Sequence, residues 1–276
     1  MKKLISCIII LLTAATGLTK SQSSADEMPV TLERLFNRLR SVTEDVDRLR
    51  INDSIKSCID VYAASGEVFD RNFPNLKYLG QITSPDSLVK ILTWNLVLKS
   101  EPGKYYCYII RRSSDLKPDK VFCLIRGYDD KQISKDTIYT QADWYGALYY
   151  DIKPFVEGSG HAWVLLGINY CNQFMTRKII DVLSFSDDDK IIFGMKLFDT
   201  GSSLNYRHIL EYSASAIISL RFRSDSTIVF DHLVPLPPSG FDDRIYYGPD
   251  YSYDAYILRK GLWKLSINVE ARNVQR

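Results

Sequence analysis

The stretch YYGPDYSYDAYIL, residues 246–258, sets three oxygen ligands at alternate positions: Asp250, Ser252 and Asp254. That spacing matches the first, third and fifth positions of a calcium loop, where alternate side chains converge on a hard cation. The match ends there. The next position is Ala255, where such a loop turns on glycine, and Gly261 stands where a bidentate glutamate would close the site. A Gly248-Pro249-Asp250 turn feeding an outgoing strand is the simpler reading, and a metal loop the lesser one. The aspartates at 129–130, 187–189 and 242–243 read as solvated turns between strands. No motif calls for a cofactor, and no cysteine or Cys/His spacing suits zinc.

Acid–base and nucleophilic chemistry has few candidates. The chain has three histidines, His161, His208 and His232. Ser159 in EGSGH lies between two glycines but lacks the Gly-x-Ser-x-Gly spacing of a nucleophile elbow. His232 directly follows Asp231, yet neighbours on a strand point to opposite faces, so the two cannot pair without a bulge. Two-carboxylate hydrolysis of glycans stays open, because acids are plentiful and none stands out. Aromatic residues form two dense groups, one at Trp144, Tyr145, Tyr149 and Tyr150, the other from Tyr246 to Trp263. Tyrosine and tryptophan give rigid contact area with a polar tip. Trp144, Tyr145, Tyr251, Tyr253 and Tyr256 are therefore the binding candidates. Alternation along a strand turns about half of each group into a core.

The elements that must position these residues begin with helices. Leu32, Leu35, Leu39, Val42, Val46 and Leu49 recur at three- and four-residue steps, which predicts a helix over 31–50 with Thr31 as its cap. A second helix, capped by Asn52 or Asp53, would carry Ile55, Ile59 and Tyr62 and end before Gly66. Residues 18–30 read as a flexible leader. From residue 66 onward, short Val-, Ile-, Tyr- and Phe-rich runs alternate with turn clusters. SDDD, RSDS and RKG mark hairpins, which favours antiparallel pairing. The segment NYRHILEYSASAIISL is ambiguous, its first half reading as a short helix or a strand, and the prolines at 235, 237 and 238 mark a loop. The expected architecture is α+β and mainly β: N-terminal amphipathic helices at 31–65 packed on an antiparallel meander at 66–276. That meander would form a curled sheet, sandwich or barrel, and a propeller is a remote alternative.

Residues 1–17 read as a removed signal peptide: Lys2 and Lys3, a short apolar run, then small residues. The run is too short to cross a bilayer as a helix. Cys7 lies inside it, so a lipid-anchored cysteine is not expected. Losing Lys2 and Lys3 cancels the formal net charge of +2. A neutral chain of mixed signs lacks the basic stripe of a nucleic-acid binder. No later run is long enough to span a membrane. Export permits disulfides, and a hairpin register that sets Cys107 opposite Cys123 would allow a bridge; two buried thiols are the equal alternative.

The elements WYGALYY (144–150), FDHLVP (230–235) and GPDYSYD (248–254) resemble an uncharacterised family of exported bacterial proteins of unknown function. The resemblance covers the chain from about residue 75 and implies export and a single β-rich unit. It supplies no activity and no catalytic residues. The reading is an exported binding or interaction module, periplasmic or associated with the outer envelope, with an unidentified envelope ligand or protein as partner. A glycan or peptide hydrolase and a structural subunit of an envelope assembly are the alternatives.

Overall fold

The structure, a computed structural model, describes residues 19–113, 117–129, 131–157, 160–236 and 243–270. The expected signal peptide, Ser159, Asp130, Asp242, Pro237 and Pro238 lie outside them. Strands hold 45% of the chain and helices 16%, which makes the fold α+β and mainly β.

Two helices open it, α1 (Thr19–Ser41) and α2 (Asp45–Ala63). Their boundaries differ from those expected. The leader is helical from Thr19, through Pro29, so Thr31 is no cap. The stripe that predicted one helix over 31–50 is split by a turn at 42–44, and Asn52 and Asp53 sit inside α2. The turn has a physical purpose: a single rod would carry its stripe away from the sheet, whereas two antiparallel helices bury Leu32, Phe36, Leu39, Ile51, Ile55 and Ile59 together. Val46, part of the expected stripe, is 68% exposed. The Asp45 carboxylate at the start of α2 accepts the Lys99 and Ser100 amides, at 2.9 and 2.8 Å, and so fixes α2 to the sheet below.

That sheet is a four-strand meander: β1 (Gly80–Thr83), β2 (Val89–Leu96), β3 (Lys104–Arg111) and β4 (Lys120–Gly127). Side-chain alternation divides it into two faces. Leu92, Trp94, Tyr106, Tyr108 and Ile110 meet the helices. Val89, Ile91, Tyr105, Cys107 and Ile109 meet the next sheet. Trp94 stacks on Tyr106 at 4.9 Å and donates Nε1–H to Asn52 Oδ1 of α2 at 2.9 Å. The β3–β4 register sets Tyr108, not Cys107, opposite Cys123, and Cys107 opposite Leu124. The two cysteines therefore face opposite sides of the sheet, and no bridge joins them. Cys58, Cys107, Cys123 and Cys171 are all free thiols.

The middle sheet holds β5 (Tyr139–Thr140), β6 (Leu148–Glu157), β7 (Gly160–Tyr170), β8 (Met175–Phe185) and β9 (Ile191–Phe193). The chain then crosses to a third sheet for β10 (Phe198–Asp199) and β11 (Leu204–Asn205), and returns as β12 (His208–Ser213) along β8. So the ambiguous 205–220 segment supplies a strand. The third sheet is completed by β13 (Leu220–Ser224), β14 (Thr227–Pro235), β15 (Tyr247–Arg259) and β16 (Leu262–Ser266). The three expected hairpins are present. The RKG turn has positive φ at both Lys260 and Gly261, which suits the strand twist of a two-residue hairpin. One pairing departs from an antiparallel meander: β10 runs parallel to β16, with Phe198 beside Trp263.

The middle sheet is buried on both faces, which explains why its strands read as near-continuous apolar runs. Trp163, Leu165, Ile179 and Leu183 face the first sheet. Ala162, Val164, Leu166, Ile180 and Val182 face the third. The molecule is thus a stack of four layers: helices, first sheet, middle sheet, third sheet.

Candidate functional site

The GPDYSYD stretch is a bulge. Opposite it, β14 runs from Asp231 to Leu233 while β15 runs from Tyr253 back to Pro249, so Asp250, Tyr251 and Ser252 stand against His232 alone. Such a bulge bends its strand and re-aims the neighbouring side chains. Tyr251 takes φ +69° at its tip and is 91% exposed. The three candidate metal ligands do not converge. Asp250 accepts the Ser252 amide and hydroxyl at 2.9 and 2.7 Å; these bonds, the hydroxyl foremost, hold its carboxyl below the ordinary range. Asp254 is buried and directed to the opposite side, into the molecule. Among the described residues, no group of three or more His, Cys, Asp or Glu side chains could hold a metal.

What the bulge does assemble is a histidine pair. Phe230 and Asp254 are cross-strand partners, and His232, two residues on, shares their face of the third sheet. His232 Nδ1 lies 2.8 Å from Asp254 Oδ2, and the other Asp254 oxygen accepts the Asn268 amide at 3.1 Å. The carboxylate therefore fixes both the ring orientation and the proton on Nδ1, leaving Nε2 as the nitrogen that can act. A bulge does occur here, yet it pairs His232 with Asp254 and not with Asp231, which accepts the Ser219 amide at 2.7 Å.

A second histidine comes from the facing sheet. His208 opens β12 and packs edge-on to Tyr256, with ring centres 5.1 Å apart, and against Phe230 at 5.2 Å. Its Nδ1 is 3.1 Å from the Tyr256 hydroxyl. Its Nε2 is buried without a hydrogen-bond partner. Burial, with a smaller contribution from Lys135, pushes the imidazole pKa down to about 3, so the ring is neutral near pH 7. Both histidines line one cavity of about 350 Å³ between the middle and third sheets, with Lys135, Arg244 and Gln132 around it.

The charges of this cavity are unevenly used. Its carboxylates are engaged: Asp254 by His232 and Asn268, Asp231 by Ser219, and Glu211 by Arg177 at 2.9 Å. Its cations have no carboxylate partner among the described residues; Arg244 stacks on the Tyr247 ring at 4.1 Å. The tyrosine hydroxyl can donate to His208 Nδ1, which places the ring proton on Nε2.

The remaining candidates lie elsewhere. Tyr256 is a core residue that holds His208 rather than a surface contact, and Tyr253 packs on the outer face of the third sheet with Val229, Ala255 and Ile257. Trp144 and Tyr145 are buried. Trp144 Nε1 donates to Tyr149 Oη at 3.0 Å, and Tyr145 donates to Asp181 at 2.7 Å, beside the buried Arg207–Asp181 pair at 3.0 Å. They are framework, not a binding surface, because every polar tip is spent inside. His208 and Lys135 were not singled out in the sequence: a lone histidine in an apolar run looks like core, and only the return of β12 brings it to His232. No family model, curated protein or solved structure matches the chain in comparisons with known proteins.

Proposed function

We propose that the protein is an exported binding module of the cell envelope whose cavity between the middle and third sheets takes a small oxyanion group, a carboxylate or phosphate. One observation carries this reading: two histidines, each held through Nδ1, line one cavity whose carboxylates are engaged and whose Lys135 and Arg244 form no ion pair among the described residues. Charge-assisted bonds to an oxyanion would satisfy His208 Nε2 and the Lys135 and Arg244 side chains together. His232 comes from FDHLVP and Asp254 from GPDYSYD, two of the motifs that stand out in the sequence. Export rests on residues 1–17. The test is titration calorimetry on residues 18–276 with phosphate and with acetate. Binding of one of them, weakened at least tenfold in His232→Ala and in Lys135→Ala with unchanged melting, is the expected result. Binding that neither substitution alters, or no binding, rejects the reading.

A specific observation favours hydrolysis as the second reading: Asp254 orients His232 as an acid orients a catalytic base. The machinery would then be His232 acting on water through Nε2, not a pair of carboxylates. Turnover of a simple aryl ester, reduced about 100-fold or more in His232→Ala, would support it. Turnover equal in both proteins would remove it.

A further inference from the structure

A second cleft lies where the helices, the first sheet and the edge of the middle sheet meet. Its volume is about 710 Å³, within the range of sites for drug-sized ligands. Its floor is apolar: Phe36 and Leu39 of α1, Leu148 and Ile168 of the middle sheet. Its rim carries Tyr78, Tyr150 and Tyr170, all substantially exposed. The charged residues lining it are Arg40, Arg48 and Lys77, and the described lining contains no carboxylate.

Arg48 carries an electrostatic interaction with the Asp45 carboxylate at the start of α2, outside the cleft lining. Arg48 spends its guanidinium on carbonyls, donating Nε–H to Val97 at 2.8 Å and Nη1–H to Val42 at 3.0 Å. Arg40 lies over the Tyr78 ring at 4.4 Å and donates to its hydroxyl. Among the described residues, none of the three forms an ion pair. In a chain whose acids and bases are nearly equal in number, a cleft with three bases and no acid is an uneven distribution. Such a wall of one sign concentrates counter-ions of the other. The rim tyrosines and the apolar floor reward an apolar body, and the arginines reward a head group with a forked oxyanion.

We infer that this cleft binds a free anionic amphiphile: one carboxylate or phosphate head at Arg40, Arg48 and Lys77, with its apolar body on the Phe36–Ile168 floor. The site is separate from the histidine cavity, so either proposal stands without the other.

The experiment is calorimetric titration of residues 18–276 with decyl phosphate and decanoate below their micelle concentrations, against decyltrimethylammonium and decanol. The anions are expected to bind and the cation and alcohol to bind at least tenfold more weakly. Lys77→Glu and Arg40→Glu, with melting temperature as the control for folding, are expected to weaken the anions at least tenfold. Decyl phosphate is expected to bind at least tenfold more tightly than inorganic phosphate, and that difference is expected to be lost in Lys77→Glu, which separates this cleft from the histidine cavity. Equal affinity for the cation, or anion affinity indifferent to both charge reversals, overturns the inference. If Arg40→Glu fails to fold, Lys77→Glu alone decides. Flotation with phosphatidylglycerol vesicles is the second arm: protein that floats with them, in a manner lost in Lys77→Glu, overturns the free amphiphile in favour of a membrane surface.

Discussion

His208 combines a largely buried, neutral ring with a buried and unpartnered Nε2, and its environment makes stability depend on pH. Its pKa in the folded protein is about 3 against an ordinary value of 6.5. The unfolded chain takes up a proton as pH falls below 6.5 while the folded chain does not, so stability is lost progressively from 6.5 down toward 3. Between pH 6.5 and 5, before most carboxylates titrate, the loss from this residue is expected to be about 1.5 kcal/mol. Urea unfolding at the two pH values measures it. His208→Gln should remove most of the difference; an equal difference in the variant would contradict the burial of the ring. Little of this was readable from residue types. The sequence marked Asp250, Ser252 and Asp254 as equivalent, and the bulge separates them: Asp250 turns outward to Ser252, Asp254 inward to His232.

At the scale of elements, the strands were legible because alternation and turn residues agree with each other, as at SDDD and RKG. The helix boundaries were not. A stripe on a 3.6-residue period continues across a turn whenever the second helix resumes near the same phase, so 31–50 looked like one rod. Nor does sequence give register: one residue of slip moves a side chain to the other face, and that slip separates Cys107 from Cys123. The segment between α2 and β1 is held by a device invisible in the sequence. Lys90 on β2 is fully buried, and its ammonium donates to the Val68 and Arg71 carbonyls, the Tyr62 hydroxyl and Asn72 Oδ1. Burial lowers its pKa to about 8. Lys90→Met leaves those acceptors without their donor, and a stability loss of about 1–3 kcal/mol is expected, with faster amide exchange across residues 66–79. A variant as stable as the parent would contradict a clamping role.

At the scale of the molecule, four layers bury the middle sheet on both faces, and the two cavities described open between layers. The histidine cavity opens between the middle and third sheets; the basic, aromatic cleft opens where the helices end. Neither was legible in the sequence, since each gathers residues far apart in the chain: Lys135 with His208 and Asp254, Arg40 with Tyr150 and Tyr170. What was legible was the material. FDHLVP and GPDYSYD stood out as motifs, and they meet as paired strands. The measurement that reaches the central claim most directly is a two-dimensional NMR spectrum of protein labelled with ¹⁵N at its histidine rings, recorded while phosphate or acetate is added. The account predicts that the Nε2 signals of His208 and His232 move together along one binding curve while those of His161, outside the cavity, stay fixed. Signals of His208 and His232 that remain still, or that move no more than His161, would contradict it.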